Sequence, residues 1–413
     1  MNKLCALRVG SNTGEYLQTA VNFIRYGSTY NYVDWNSTLA MHDQWMTLAI
    51  VPFVLIWPHP ESVIVLQVLA LAATAPLLFV LVRRWGGNAE TAAIVAIVYL
   101  LQPSVQGFAN AEFVPLDFVP LLSVGLAIAV TARSLVWSLL LVQLLCGTKE
   151  DVGLFVCWFG LVYAAFGHLR FGLSVAALSG ANLAAYYALA HGFIGGTVHP
   201  TYSAVDVNWP QQLAFLSEIS APFAFAALAL GWRVLLAFPL LAELFFAHWN
   251  FPLYQAGSYY TVMIVTAVVL ASAYVLARNA GWARLSIATA LIMAMFFNTT
   301  VLHFGRHWYS CDPLYSRALA WSFTQQGIYF PCEDQGAWTV AAADTQARLI
   351  GCGHHRMLRH ARAAWGNEAL FSDSPWTQSP GTLLGPPQQW SLNKACKWFA
   401  HAGSRCRCRA PHV

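Results

Sequence analysis

Charged side chains are scarce in this sequence. Asp, Glu, Lys and Arg make up 10% of its 413 residues, whereas hydrophobic residues make up 58%. Soluble globular chains carry about 25% charged residues, so the composition excludes an ordinary soluble domain and predicts an all-α integral membrane protein. The formal net charge of +4 is not gathered into a basic and aromatic patch. The expected partner is therefore the lipid bilayer and not nucleic acid.

Several common sequence motifs are also missing. The chain contains no Walker loop, no GxGxxG, no HExxH and no GxSxG sequence, so ATPase, nicotinamide-dependent and common hydrolase functions are not predicted. Residues 1–40 lack an apolar stretch long enough for a signal peptide or a first span.

Apolar runs between residues 63 and 302 predict a polytopic helical bundle of about nine spans. Arginines fall in alternate connections, and acids, histidines and the long loops fall in the others. Because basic residues mark the cytoplasmic ends of spans, we expect the arginine side to face the cytoplasm. The run 46–57 is short and contains Pro52. This favours a re-entrant or interfacial helix, with a tilted ordinary span as the alternative.

The flanks of the bundle differ from it in composition. Residues 1–62 are expected to form the extracytoplasmic first-loop region, in which the apolar spacing of 14–26 predicts an amphipathic interfacial helix. Residues 63–302 form the bundle, and 303–413 are expected to be an extracytoplasmic tail rich in Cys, His and Arg. An oxidising compartment would permit disulfides in that tail, but their connectivity stays open.

The strongest indication of chemistry is the segment Thr148–Asp151, which lies between two strongly apolar runs. Three consecutive charges in a membrane hairpin are costly unless they meet water, a partner or a ligand. Glu150 and Asp151 are candidates for catalysis or for holding a divalent metal, and Lys149 for binding a phosphate. The alternative is a solvated turn in which Lys149 pairs with one of the acids.

Other polar residues are weaker candidates. Glu112 and Asp117 are either carboxylates that face the same outer vestibule or ordinary loop acids. His42 and Asp43 are either a general base or metal-ligand pair, or a cap or turn. Glu243 interrupts an apolar run, and it either is a buried functional carboxylate or reaches the surface. The remaining candidates in the N-terminal polar region are Glu15, Gln18 and Asp34. Tyr259 and Tyr260 belong to an outer aromatic rim, which either contacts a sugar or isoprenoid or is a simple interfacial belt.

A resemblance rests on several of these sequences. Val65-Leu66-Gln67 with Pro76 and Arg83, Tyr99 to Pro103, and Thr148 to Leu154 are similar to the motifs of an uncharacterised family of bacterial and archaeal multi-spanning proteins. Tyr259-Tyr260 resembles an outer-loop motif of the same family, and the resemblance covers about residues 12–275. Family members usually begin with one more span, so we expect the start of this chain to be misassigned.

The resemblance implies a function as well as a fold. The family is grouped by fold with the GT-C glycosyltransferases, which implies a bacterial or archaeal inner-membrane enzyme that uses a polyprenyl-phosphate-linked sugar at the extracytoplasmic face. In this comparison Glu15, Asp34 or Asp43 would be the base, and Lys149 or a metal held by Glu150 and Asp151 would stabilise the leaving phosphate. Asn12 stands where the family has an acid, which favours the alternative of an inactive relative. A lipid or solute transporter is the other alternative.

Overall fold

The structure is a computed structural model that describes most of the apolar part of the chain. The described residues are 11–31, 36–57, 60–192, 209–246, 248–249, 251–252, 258–297, 328–332, 336–343 and 346–352. They fall into two compact units, one drawn from residues 1–36, 50–64 and 305–413 and the other from residues 37–49 and 65–304.

The first unit contains the predicted amphipathic helix. Helix α1 (Ser11–Tyr26) contacts α3 (Val51–Ile56). The predicted helix is confirmed. Of the three residues on its predicted apolar face, Leu17 and Val21 are buried, whereas Ile24 is exposed. The same unit contains an antiparallel sheet of β5 (Ile328–Cys332), β6 (Gly336–Ala343) and β7 (Gln346–Cys352), which the all-α prediction did not include.

The described residues of the second unit are mainly helical. In chain order the helices are α2 (Thr38–Met41), α4 (Pro60–Arg84, which begins in the first unit), α5 (Ala89–Leu101), α6 (Pro103–Asn110), α7 (Val119–Thr131), α8 (Leu135–Cys146), α9 (Glu150–Ala165), α10 (Leu169–Gly192), α11 (Trp209–Ser220), α12 (Phe238–Phe246), α13 (Val262–Leu276) and α14 (Ala280–Phe297). Turns of 3₁₀ helix cover Trp45–Ile50, Pro115–Phe118, Ala221–Phe223, Ala226–Ala237 and Tyr259–Thr261. Short strands lie at Tyr30–Asn31 (β1), Asn36–Ser37 (β2), His248–Trp249 (β3) and Phe251–Pro252 (β4).

Several of these helices are long and apolar enough to cross a bilayer. Four stretches in the described residues meet that condition: Ser62–Arg84, Leu169–Leu189, Ala226–Phe245 and Tyr259–Leu276. A fifth stretch meets the condition only if α5 and the start of α6 are counted as one span. These two helices are separate because a new helix begins at Pro103, and its axis is bent by 55° from that of α5. The other apolar helices are shorter than the roughly 20 residues a span needs, so the predicted count of about nine spans is not confirmed.

The run 46–57 forms a short apolar helical segment, Trp45–Ile56. A helix rises 1.5 Å per residue, so this segment is well short of a hydrocarbon core about 30 Å thick. Its length supports the re-entrant or interfacial interpretation over the ordinary span.

Polar and basic residues lie at opposite ends of the helices in the second unit. Trp85, which follows α4, donates a hydrogen bond to Thr131 at the end of α7, at 3.2 Å, and its ring lies 5.3 Å from that of Tyr274 near the end of α13. These three helix ends therefore lie side by side, next to Arg83, Arg133 and Arg278. The other ends of the same helices carry Gln67, Asp117 and Tyr259, about 25 Å away along the helix axis.

Helices α9 and α10 pack through glycines. A Cβ atom on Gly160 would lie 2.7 Å from the backbone nitrogen of Ala176, and one on Gly172 would lie 2.5 Å from the carbonyl oxygen of Gly160. Both contacts are with backbone atoms, which cannot rotate away. Close backbone approach at small residues is the usual basis of helix association in membranes, and it fixes α9 and therefore the charged residues at its start.

We predict that Gly172→Ala lowers the thermal stability of the detergent-solubilised protein. Alanine favours helix over glycine by about 0.8–1 kcal/mol, but overpacking at this contact costs about 1–3 kcal/mol. The matched control is Gly180→Ala on the same helix, where an added Cβ would meet nothing closer than Cys157 Sγ at 4.0 Å. Equal melting temperatures for the two variants would contradict the close packing.

Candidate functional site

The turn between α8 and α9 is held rigidly against the segment that follows α2. The carbonyl oxygen of Gly147 accepts a hydrogen bond from the Met46 amide at 2.8 Å, and the Trp45 ring occupies the space that a side chain at position 147 would need. Thr148 is buried, and its hydroxyl donates to the Leu145 carbonyl at 2.7 Å. These contacts fix the turn that presents the charged residues and place it beside His42.

Glu150 opens α9 and uses both carboxylate oxygens. His42 Nδ1 lies 2.9 Å from Oε1, and the Asp43 amide donates to Oε2 at 3.2 Å. Because a carboxylate only accepts, Nδ1 of His42 carries the hydrogen in this contact. Burial by itself raises the pKa of Glu150, but the hydrogen bond from His42 and the positive charges of His42 and Lys149 outweigh burial and lower it.

Asp43 responds to its surroundings in the opposite direction. Its side chain is buried. Burial first, and the negative charge of Glu150 second, raise the pKa of Asp43 from 3.8 to about 7. Two neighbouring carboxyl groups whose pKa values move apart are typical of acid–base sites, because one stays ionised while the other can gain or lose a proton near neutral pH.

Asp151 points to different partners from its neighbour Glu150. Its carboxylate forms an ion pair with Lys149, and it lies close enough to Glu243 of α12 for the two carboxyl groups to interact electrostatically. Lys149 is buried, and its Nζ lies 5.5 Å from the centre of the Tyr260 ring. Lys149 therefore pairs with an adjacent acid, Asp151, but it does so as a buried residue and not in the solvated turn of the alternative.

A small cavity of about 20 Å³ lies beside this group. That volume holds water but not a larger ligand. One side of the cavity is polar, and the other is formed by apolar side chains. The polar lining is Lys149, Asp151, Glu243, Tyr259 and Tyr260, and the apolar lining includes Leu116, Phe155, Leu240, Leu244, Val262 and Ile264.

Two tyrosines form the rim of this cavity. The hydroxyl groups of Tyr259 and Tyr260 are 2.9 Å apart and hydrogen-bonded, with ring centres at 4.2 Å. The carboxylate of Glu112 is close enough to the Tyr259 hydroxyl for the two groups to interact electrostatically. The predicted substrate-binding residues Glu112, Tyr259 and Tyr260 thus share one neighbourhood with Lys149.

A buried amide holds the loop that carries Glu112. The Gln67 side chain on α4 is fully buried, and its Nε2 donates to Asp117 Oδ2 at 2.8 Å, to the Phe108 carbonyl at 3.0 Å and to the Glu112 carbonyl at 3.2 Å. Asp117 Oδ2 also accepts from the Val114 amide at 3.0 Å. Asp117 is 1% exposed, so the prediction that it faces an outer vestibule is wrong; it fixes both ends of its loop instead.

The comparison with known proteins bears on the segment that contains most of this site. Residues 10–203 match the sequence model of a family described as "Predicted membrane protein (DUF2079)". These residues, slightly less than half of the chain, are similar to that family. Its function is unknown, and the match ends short of the expected residue 275. No curated protein and no solved structure matches the chain.

Eight of the predicted site residues lie in the segment that matches DUF2079 and among the residues that the structure describes. In the second unit His42 and Asp43 meet Glu150, Lys149 meets Asp151, and Glu112 lies near Tyr259. Glu15 and Gln18 lie on α1 in the first unit, where both are buried. Asp34 lies outside the described residues. Glu243 lies beyond the matched segment and lines the cavity with Lys149 and Asp151; its position within an apolar run is the feature of the sequence that indicates it.

The residues of the DUF2079 segment do not fit the predicted divalent metal. Within the residues that the structure describes, no group of three or more His, Cys, Asp or Glu side chains is placed to hold a metal ion. Glu150 and Asp151, the two candidates, bind different partners. The positive charge available at the cavity is that of Lys149.

Proposed function

We propose that this chain is a multi-pass membrane protein that transfers a sugar from a polyprenyl-phosphate donor to an acceptor hydroxyl at the extracytoplasmic face. The observation that carries the proposal is that the buried Lys149 lines a cavity with one polar and one apolar wall. Lys149 also lies directly before Glu150, which contacts His42 and Asp43. The resemblance to the GT-C fold gives the reaction class, and the geometry supplies candidate roles.

The cavity supports a donor with a charged head and an apolar chain. Lys149 is a compact positive charge of the kind that binds phosphate, and the wall containing Phe155, Leu240 and Val262 is apolar. In the closed form described here the cavity holds only water-sized molecules. Donor binding in this proposal therefore requires the walls to separate and the phosphate to replace Asp151 as the partner of Lys149.

Asp43 is the proposed base. As the acceptor oxygen bonds to the anomeric carbon, its proton passes to the ionised Asp43 carboxylate, and the bond from that carbon to the phosphate oxygen breaks with its electron pair leaving on the phosphate. Lys149 offsets the charge that develops there. Glu150 holds His42 and the Asp43 backbone in place, so it is a positioning residue in this scheme. The alternative base is Glu15, which the family resemblance implies.

The proposed topology places the arginine ends of the helices in the cytoplasm of a bacterial or archaeal cell. Residues 1–62 then form the first outer loop, 63–302 the bundle, and 303–413 an extracytoplasmic tail. The positive-inside tendency supports this orientation, because Arg83, Arg133 and Arg278 lie at one end of the second unit.

A proton-coupled lipid or solute carrier is the second candidate. The Asp151 and Glu243 carboxyl groups line the same cavity as Lys149 and interact electrostatically, which makes them a candidate proton-binding pair close to an apolar span. Intramembrane carboxyl groups of this kind are typical of proton relays in transporters. A carrier would move a lipid-linked substrate in proteoliposomes without cleaving its phosphate bond.

We predict that Asp43→Asn and Glu150→Gln each lower sugar transfer about 100-fold or more, the usual contribution of acid–base catalysis, without lowering membrane expression. The assay measures transfer of a labelled sugar from polyprenyl phosphate in proteoliposomes. The control is Glu90→Gln, which removes an exposed acid at the arginine end. Wild-type turnover in both site variants would refute the assignment.

The rate of transfer should rise with pH through about 7. Burial and Glu150 raise the pKa of Asp43 to about 7, so below that pH the base is protonated and cannot accept the acceptor proton. The measurement is a pH–rate profile from about pH 5.5 to about pH 8.5, a range that extends roughly 1.5 pH units below and above the expected midpoint. A rate that falls across this range, or does not change, would show that Asp43 is not the base.

A further inference from the structure

The end of the second unit opposite the candidate site carries exposed arginines. Arg83 and Arg84 end α4, Arg133 follows α7, and Arg278 follows α13. In the part of the chain that the structure describes, the ion pair at this end joins Arg284 to Glu90, with contacts of 2.9 and 3.1 Å. Arg83, Arg84, Arg133 and Arg278 form no ion pair with any described residue, so a concentrated positive charge is left there.

An aromatic wall joins three of these helix ends. Trp85 is fixed by its hydrogen bond to Thr131 and packs edge-on against Tyr274, with an interplanar angle of 79°. The Arg278 guanidinium carbon lies 3.7 Å from the centre of the Tyr274 ring. The guanidinium is therefore stacked on an exposed aromatic ring, which limits its freedom before any ligand arrives.

The two arginines beside this wall keep most of their hydrogen-bond donors. Arg278 Nη1 donates to the Tyr274 carbonyl at 2.9 Å, and Arg83 Nη1 donates to the Gly87 carbonyl at 3.0 Å. A guanidinium group has five N–H donors in a fixed planar arrangement that matches phosphate oxygens. Each contact orients its guanidinium and leaves the other edges accessible.

We infer that this surface, formed by Arg83, Trp85, Arg133, Tyr274 and Arg278, binds the headgroup of an anionic phospholipid. The phosphate would meet the guanidinium groups, and Trp85 and Tyr274 would lie at headgroup level, where amphipathic aromatic rings are favoured. The acyl chains would lie on the apolar helix surfaces, where side chains such as Val80 on α4 are exposed. This continuity with apolar surface favours a lipid over a soluble phosphate compound.

General explanations for the arginines do not cover the whole arrangement. Arginines at helix C-termini offset the helix dipole, and they orient the protein in the membrane. Neither effect needs a tryptophan and a tyrosine to join α4, α7 and α13 or a guanidinium stacked on the ring. A site for one lipid class predicts selectivity between lipids and dependence on particular arginines, whereas general attraction predicts neither.

The test uses the purified full chain in neutral detergent. Phosphatidylglycerol and phosphatidylcholine are titrated separately, and binding is measured by native mass spectrometry and by the shift in thermal unfolding temperature. We expect saturable, tighter binding of phosphatidylglycerol, which Arg83→Gln and Arg278→Gln each weaken about fivefold, as expected for the loss of one basic group near an anionic headgroup. Tyr274→Leu should also weaken binding, because Arg278 loses its stacking partner.

Arg284→Gln is the matched control, since Arg284 is an exposed arginine at the same end that is already paired with Glu90. It should leave phosphatidylglycerol binding unchanged. Equal binding of the two lipids, equal losses in Arg278→Gln and Arg284→Gln, or displacement of the lipid by millimolar inorganic phosphate would each overturn the proposal. Correct folding of each variant is checked by its elution volume and by its melting temperature without added lipid.

Discussion

The contact of Glu150 with His42 and the Asp43 amide is the interaction on which the candidate site depends. It joins residues 108 positions apart in the chain and satisfies both oxygens of a carboxylate at the edge of an apolar bundle. A partly buried carboxylate without such partners would be strongly destabilising. Because Glu150 is also the first residue of α9, the contact fixes the helix, the turn before it and the polar segment after α2 as one group.

The other charges of the site follow from the same constraint. Lys149 and Asp151 flank Glu150, and in an apolar environment each must find a partner. They pair with each other, and Glu243 completes the group from α12. Balanced in this way, the charges can remain inside the protein without a ligand. In the proposed function, a phosphate would therefore enter by replacing Asp151 as the partner of Lys149.

The sequence indicates the centre of the site well but not its contacts. Three charges between apolar runs identify Lys149, Glu150 and Asp151, because the cost of such charges in a membrane is large enough to require an explanation. Which acid pairs with Lys149 depends on side-chain direction around the first turn of α9, which the pattern does not contain. Asp117 shows the same limit: its loop position suggests exposure, while Gln67 on another helix supplies the donors that allow its burial.

Hydropathy predicts the membrane class and most helices but not how many of them cross the bilayer. Apolar runs such as 91–102 and 134–147 form the helices α5 and α8, but both helices are shorter than the roughly 20 residues a span needs, and the chain bends by 55° between α5 and α6. The strands of residues 328–352 lie outside the apolar runs, and nothing in the 3.6-residue periodicity indicates them. The opposed charge at the two helix ends, by contrast, follows directly from where arginines and acids fall between runs.

The central claim is that the acids of the site and the arginines lie on opposite sides of the membrane. Arg170 lies in the first turn of α10, beside the end of α9 that is opposite Glu150. The most direct test places single cysteines at Glu112 and at Arg170 in a chain whose native cysteines are replaced, and labels intact cells with a membrane-impermeant maleimide. The account predicts labelling at position 112 in intact cells and labelling at position 170 only after permeabilisation. Labelling of both positions in the same compartment would contradict it.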